Sequence, residues 1–233
     1  MVSEASSSRL QLIVFALVSA SFANVYITQP VLPVLQQEFG ADMVRVSLTI
    51  SAVILGMALS NLPFGSLADR LPIRPIILTG GLMVAFCSIA AALMHDLHLL
   101  IATRFVQGLF IPALTTCLAA YLARTLSVER LSIVMGSYVS ATVLGGLGGR
   151  LLGGWVHPPL HWRYAFISAA AFILAATVAA MRGLPPDRQH GKAQSSATGY
   201  LALLRQRELW GFFFCAAGSF SIFSSVFNYL PFR

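Results

Sequence analysis

Two arginines, Arg104 and Arg150, interrupt long apolar runs of this 233-residue chain. A charged side chain at membrane depth is costly, so it usually finds a partner, faces water or serves a function. Gln107 follows Arg104 by three residues, which places the amide and the guanidinium on one helical face. If both arginines faced one vestibule, they would favour an anionic solute group or a proton-exchanging carboxylate. The alternatives are an interfacial anchor for Arg104 and structural hydrogen bonds to backbone carbonyls for Arg150.

A polar cluster in the first apolar run is a second candidate for solute contact. Asn24 and Thr28 are four residues apart and share a helical face, and Gln29 follows directly. Hydrogen bonding between helices, without any solute, is the alternative explanation. The predicted solute or proton pathway therefore consists of six side chains: Arg104, Gln107, Arg150, Asn24, Thr28 and Gln29.

Patterns typical of enzymes and metal sites are missing from the sequence. It has no nucleophile elbow, phosphate-binding loop or HExxH pair, and its three cysteines lack metal-ligand spacing. We therefore expect no enzymatic activity, no cofactor and no bound metal. The apolar cores also lack Asp and Glu, which leaves Asp42 and Asp69, near the membrane faces, as the carboxylates that could carry a proton.

The elements that position these residues are membrane-spanning helices. The chain is 57% hydrophobic and only 10% charged, which excludes a water-soluble enzyme because such a composition could not cover a soluble surface. A bilayer core about 30 Å thick needs roughly 20 apolar residues in a helix. The sequence predicts seven such spans, near 10–32, 46–66, 76–94, 99–121, 133–156, 164–181 and 210–230.

The net charge of +7 is distributed as an orientation signal. Ten of the fifteen Lys and Arg residues fall in segments on the side of the N-terminus, and three fall on the other side. This asymmetry predicts a cytoplasmic N-terminus. Nothing in it suggests a nucleic-acid-binding stripe, so the lipid bilayer is the expected surrounding and nucleic acid is not an expected partner.

The loop between the second and third spans has Gly65, Asp69, Arg70 and Arg74, with Pro72 between the two arginines. This loop and the start of the fourth span resemble the major facilitator superfamily of secondary transporters, whose pattern has Gly at the position of Pro72. In the family this loop holds the inner gate shut. At the fourth span, the Arg-x-x-Gln-Gly sequence at positions 104–108 also follows the family pattern.

The fifth span resembles the antiporter signature of the same superfamily. Its glycines have the spacing of that signature, and Arg150 replaces the signature's Pro. Glycines four residues apart along a membrane helix let a neighbouring helix approach closely, and a generic dimerisation stripe is the alternative. The five glycines of the pattern are Gly136, Gly145, Gly149, Gly153 and Gly154.

The resemblance implies an all-α integral membrane fold in which six helices form the N-terminal half of a carrier. We expect a six-helix bundle over 1–183, a cytoplasmic loop over 184–207 and the first helix of a second half over 208–233. It also implies secondary active transport across the bacterial inner (plasma) membrane, with proton-coupled efflux of a small drug- or sugar-like solute by alternating access. The missing C-terminal half is then an expected partner, and this chain alone should not transport. The alternatives are a facilitative or importing carrier of the superfamily and a seven-helix membrane protein that binds without transporting.

Overall fold

The computed structural model describes residues 4–157, 159–184 and 207–229, and the regular elements in these ranges are all helices. The α-helices in these ranges are α1 Glu4–Tyr26, α2 Leu32–Phe39, α3 Met43–Arg70, α4 Ile73–Leu93, α5 Leu97–Leu114, α6 Thr116–Thr125, α7 Val128–Val156, α8 Arg163–Gly183 and α9 Arg207–Tyr229.

Six segments are long and apolar enough to cross a membrane, which confirms the first six predicted spans. They are Ser8–Phe39, Met43–Arg70, Ile73–Leu93, Leu97–Thr125, Val128–Val156 and Arg163–Gly183. The seventh predicted span coincides with α9, of which the described apolar part is Leu209–Ile222. The predicted loop 184–207 lies outside the described residues except at its two ends. The chain divides into two compact units, residues 1–190 and 191–233, and α9 belongs to the second.

The ends of the helices follow from local chemistry. Asp42 caps α3 by accepting a hydrogen bond from the backbone N–H of Arg45 at 2.8 Å. Asp96 caps α5 in the same way, and its hydrogen bonds from the N–H groups of Leu99 and His98 lower the pKa of its carboxyl group. Gly40 ends α2 in the left-handed conformation, at φ 57°. Short connections of this kind keep consecutive spans antiparallel.

The first and fourth spans are broken, although the sequence predicts continuous helices there. The first span stops at Tyr26 and continues as α2 after a 3-10 turn at Gln29–Val31, which contains Pro30. The fourth span stops at Leu114, two residues after Pro112, and resumes at Thr116. Proline removes a backbone donor and clashes with the preceding turn, so each break has a proline at its origin.

The six spans pair in a symmetric way. α1 packs along α7, α3 along α5, and α4 along α8, so the paired spans are first with fifth, second with fourth, and third with sixth. If the first, second and third spans are exchanged with the fourth, fifth and sixth, the same three pairs result. The two breaks also exchange, because they occupy the first and fourth spans. The six-helix unit therefore has the organisation of two three-helix repeats.

Candidate functional site

A buried polar network lies beside the break of the first span. The side chains of Asn24, Ser88, Arg104 and Gln107 are all fully buried. The Ser88 hydroxyl donates to Asn24 Oδ1 at 2.7 Å, and Gln107 Nε2 donates to Ser88 Oγ at 2.6 Å and to Asn24 Oδ1 at 3.3 Å. The Arg104 guanidinium donates to Gln107 Oε1. The network thus joins α1, α4 and α5.

Arg104 connects this network to the backbone of the broken span. Its two terminal nitrogens donate to the carbonyl oxygens of Asn24 at 2.9 Å and Val25 at 2.7 Å. Both carbonyls belong to the last turn of α1, where carbonyls lack helical partners and the helix dipole is negative. Nε donates to the Thr49 carbonyl of α3 at 3.4 Å, and the guanidinium lies 5.4 Å from the centre of the Phe166 ring. Arg104 therefore holds the end of α1 in a closed environment and does not face an open vestibule.

Arg150 occupies a separate position at the same break. Its Nε donates to Gln29 Oε1 at 2.5 Å, and its guanidinium lies over the Tyr26 ring, 4.3 Å from the ring centre. Gly146 makes room for this arrangement, because a Cβ there would lie 3.1 Å from the Tyr26 ring. Gln29 is buried whereas Arg150 is partly exposed. The structure thus brings Gln29 and Arg150 together, apart from the Arg104 network.

Thr28 makes no hydrogen bond to the Arg104 network or to the Gln29–Arg150 pair among the described residues. Its side chain is fully buried, and its hydroxyl has no hydrogen-bond partner among the described residues. The hydroxyl is not within bonding distance of the Asn24 amide or the Arg150 guanidinium. Its predicted place in the solute pathway stays a prediction.

The glycine stripe of the fifth span packs against the backbone of α1. A Cβ on Gly145 would lie 2.5 Å from the Cα of Ser19, and a Cβ on Gly149 would lie 2.7 Å from the Cα of Ala23. One turn further on, Gly153 meets the Ile27 carbonyl in the same way. These separations are too short for any side chain, so the two helices can touch only because three glycines recur every fourth residue.

The remaining two glycines of the signature have other surroundings. A Cβ on Gly154 would make an ordinary contact with Pro30 at 3.4 Å, and a Cβ on Gly136 would have no atom within 4 Å among the described residues. The close approach is thus confined to the stripe from Gly145 to Gly153.

The predicted gating loop lies at the end of the bundle that we call the basic end, defined by residues 70–74, 124–130 and 182–184. Asp69 forms an ion pair with Arg124 at 3.4 Å, and Arg124 also donates to the Ala68 carbonyl at 2.6 Å. Arg74 donates to the Leu184 carbonyl at the end of α8. Arg70 is exposed. A Cβ on Gly65 would meet no atom within 4 Å among the described residues, so no neighbouring helix of this six-helix unit lies close to it.

The opposite end of the bundle carries an ionic cluster that sequence reasoning missed. Glu38 of α2 pairs with Arg163 at 2.7 Å and accepts a hydrogen bond from the fully buried Trp162. Arg163 also donates to the Met94 carbonyl at 2.9 Å and lies over the Trp162 ring, 4.5 Å from its centre. The cluster ties the second half of the broken first span to the start of α8.

Three further contact residues are absent from the sequence prediction: Ser88, Arg124 and Glu38. Ser88 gave a weak signal, as a hydroxyl inside an apolar run, and Arg124 entered only as part of the charge asymmetry. Glu38 lies in the continuation of the first span, beyond the end predicted for it. No group of three or more His, Cys, Asp or Glu side chains that could hold a metal occurs in residues 4–157, 159–184 and 207–229.

Comparison with known proteins gives one consistent family. A family model described as Major Facilitator Superfamily matches residues 14–233. The "Inner membrane transport protein YnfM" of Escherichia coli (strain K12) is 30% identical over 180 residues, which is 77% of this chain and 43% of that protein. A "Chloramphenicol resistance protein" of Pseudomonas aeruginosa is 27% identical over 91% of this chain and 51% of its own length.

A solved structure shares the fold. It is the crystal structure of a bacterial homolog to the human lysosomal transporter Spinster, with a TM-score of 0.70 and 16% sequence identity. The match covers 84% of this chain and 47% of that one. The present chain thus spans about half the length of the relatives it matches.

Proposed function

Because the chain belongs to the major facilitator superfamily, we propose that it forms one half of a proton-coupled exporter of small organic solutes. The exporter works by alternating access, with the six-helix unit as one rocking body and a second half completing the cavity. Its N-terminus is cytoplasmic, and the basic end faces the cytoplasm.

The observation that carries this proposal is the contact of the glycine stripe with α1. Gly145 and Gly149 meet α1 at Ser19 and Ala23, and Gly153 meets Ile27 just beyond the end of α1. Glycine puts no side chain between the two backbones at these three positions, so the two segments can stay in contact there while their ends shift. These three belong to the five glycines that have the full spacing of the superfamily's antiporter signature, which favours export.

The two helix breaks support alternating access. In transporters built from inverted repeats, interrupted helices in corresponding positions mark the solute site. Here α7 contacts both broken spans: Arg150 donates to Gln29 at the first break, and α7 packs against α6, which follows the second break. A movement of α7 would therefore be transmitted to both broken spans.

The proposal has two further parts, the proton carrier and the exported solute. Among the described residues, the carboxylates near the bundle lie towards its ends, such as Glu38 and Asp69, so the coupling group is peripheral or belongs to the second half. A relative named for chloramphenicol resistance suggests a small, largely apolar drug as the exported solute.

The test is transport in everted membrane vesicles from drug-hypersensitive bacteria that express the whole coding region containing this chain. We expect uptake of labelled chloramphenicol after a proton gradient is imposed, and its loss when an uncoupler collapses the gradient. Gly149→Leu should abolish uptake, whereas Gly148→Leu should preserve it, because a Cβ at Gly148 meets no described atom within 4 Å.

Other outcomes favour other functions. Uptake that survives collapse of the gradient would indicate a facilitator, and solute binding without movement would indicate a non-transporting membrane protein. A chain of residues 1–233 that transports against a gradient by itself would contradict the half-carrier proposal. Equal activity of the two leucine variants would contradict the role of the glycine stripe.

A further inference from the structure

Three arginines from three helices converge at the end of α8, on the basic end of the bundle. Arg182 lies in the last turn of α8 and is exposed. Arg74 of α4 donates to the Leu184 carbonyl. Arg9 of α1 lies alongside, because a Cβ on Gly183 would be 3.6 Å from its Nε. Arg9, Arg74 and Arg182 therefore surround one short stretch of chain, which we call the arginine rim.

The positive charge of the arginine rim is not balanced by the described part of the protein. The Asp and Glu ion pairs found there join Arg45 with Asp42, Arg124 with Asp69 and Arg163 with Glu38, and none of them includes a rim arginine. The C-terminus of α8 contributes a negative dipole equivalent to roughly half an elementary charge. Three guanidinium groups exceed that dipole several-fold, so neutralising the helix end does not account for all of them.

The rim lies directly above apolar side chains that face outward. Val178 is four residues before Arg182 and therefore on the same face of α8, and it is 45% exposed. Leu78 is four residues after Arg74 on α4 and is 41% exposed, with Leu82 one turn further at 51%. Arg74 and Arg182 thus each lie at the end of a row of exposed apolar side chains on their own helix. We call these rows the apolar stripe.

Positive charge above an exposed apolar stripe fits one occupant, an anionic phospholipid. Its phosphate can accept paired hydrogen bonds from guanidinium groups, and its acyl chains can lie on the stripe. We infer that the arginine rim binds an anionic phospholipid such as phosphatidylglycerol in the adjacent leaflet. A soluble phosphate would gain the charge contacts but would leave the apolar stripe unused.

The experiment measures lipid binding to the full chain purified in detergent, by native mass spectrometry with phosphatidylglycerol or phosphatidylcholine added at equal concentration. We expect retained phosphatidylglycerol and little phosphatidylcholine. One basic residue near a lipid surface contributes about five-fold in affinity, so Arg9→Gln with Arg182→Gln should weaken binding about 25-fold. Both side chains are exposed, so the double variant should keep its fold.

Two control variants separate a local site from a general charge effect. Arg130→Gln removes an exposed charge from the same end but from α7, and it should leave phosphatidylglycerol binding unchanged. Arg182→Lys keeps the charge and should retain most of the affinity. Equal losses for Arg130→Gln and Arg182→Gln would overturn the inference. Displacement of the lipid by glycerol phosphate at equal concentration would also overturn it, because the apolar stripe would then add nothing. The result is independent of solute transport.

Discussion

Adding a methyl group to Gly149 should weaken the contact between α1 and α7, whereas adding one to Gly148 should not. At Gly149 the new Cβ would lie 2.7 Å from the Cα of Ala23 and closer still to its carbonyl oxygen. Both are backbone atoms, which no change of rotamer can move. The helices must therefore separate, and a gap of 0.5–1 Å forfeits about a quarter to a half of each dispersion contact.

The magnitude follows from two opposing effects. Overfilling a packed interface costs about 1–3 kcal/mol. Replacing Gly by Ala within a helix raises the free energy of unfolding by about 1 kcal/mol at either position, because Ala has the higher helix propensity. We therefore expect Gly149→Ala to lower the free energy of unfolding by about 0–2 kcal/mol and Gly148→Ala to raise it by about 1 kcal/mol. The difference between the two variants, about 1–3 kcal/mol, is independent of the helix propensity they share.

The assay is denaturation of the purified chain by sodium dodecyl sulfate in mixed micelles, followed by far-ultraviolet circular dichroism. The two positions are adjacent in the sequence, so they differ in which face of α7 carries the methyl group. If Gly149→Ala proves as stable as Gly148→Ala, the glycine stripe is not a tight interface and the reasoning fails.

Three more substitutions test other contacts. Gly81→Ala should destabilise the bundle because the new Cβ would overlap the Thr177 side chain. Adding Thr177→Gly to this variant should restore most of the lost stability. Equal unfolding midpoints for the single and the double variant would contradict this. Arg104→Gln should lower the free energy of unfolding by about 2–4 kcal/mol, since two buried carbonyls lose their donor. An unchanged midpoint in the same denaturation assay would show that these hydrogen bonds do not stabilise the bundle. A double-mutant cycle of Glu38→Gln and Arg163→Gln should give a coupling free energy of only about 0.5–1 kcal/mol because both side chains keep contact with solvent; a value several times larger would mean that the pair is effectively buried.

The role of Arg104 illustrates what sequence reasoning could not reach. Its position on a helix and the shared face with Gln107 were predictable from spacing alone. Its partners were not, because Asn24 and Val25 are 80 and 79 residues away in the chain. Their carbonyls also became available only because α1 stops at Tyr26. The prolines near both breaks were visible in the sequence, but a proline within a membrane helix does not always end it.

The sequence by itself determined the number and approximate positions of the first six spans and the glycine spacing of the fifth. These properties depend on the length of each apolar run and on the helical repeat of nearly four residues. Both can be recognised within one continuous segment of the chain. Only the tertiary structure decided that the stripe faces α1, that Glu38 pairs with Arg163, and that three arginines meet at the end of α8. Such contacts join residues far apart in the chain, and many different pairings of helices would satisfy the same local patterns.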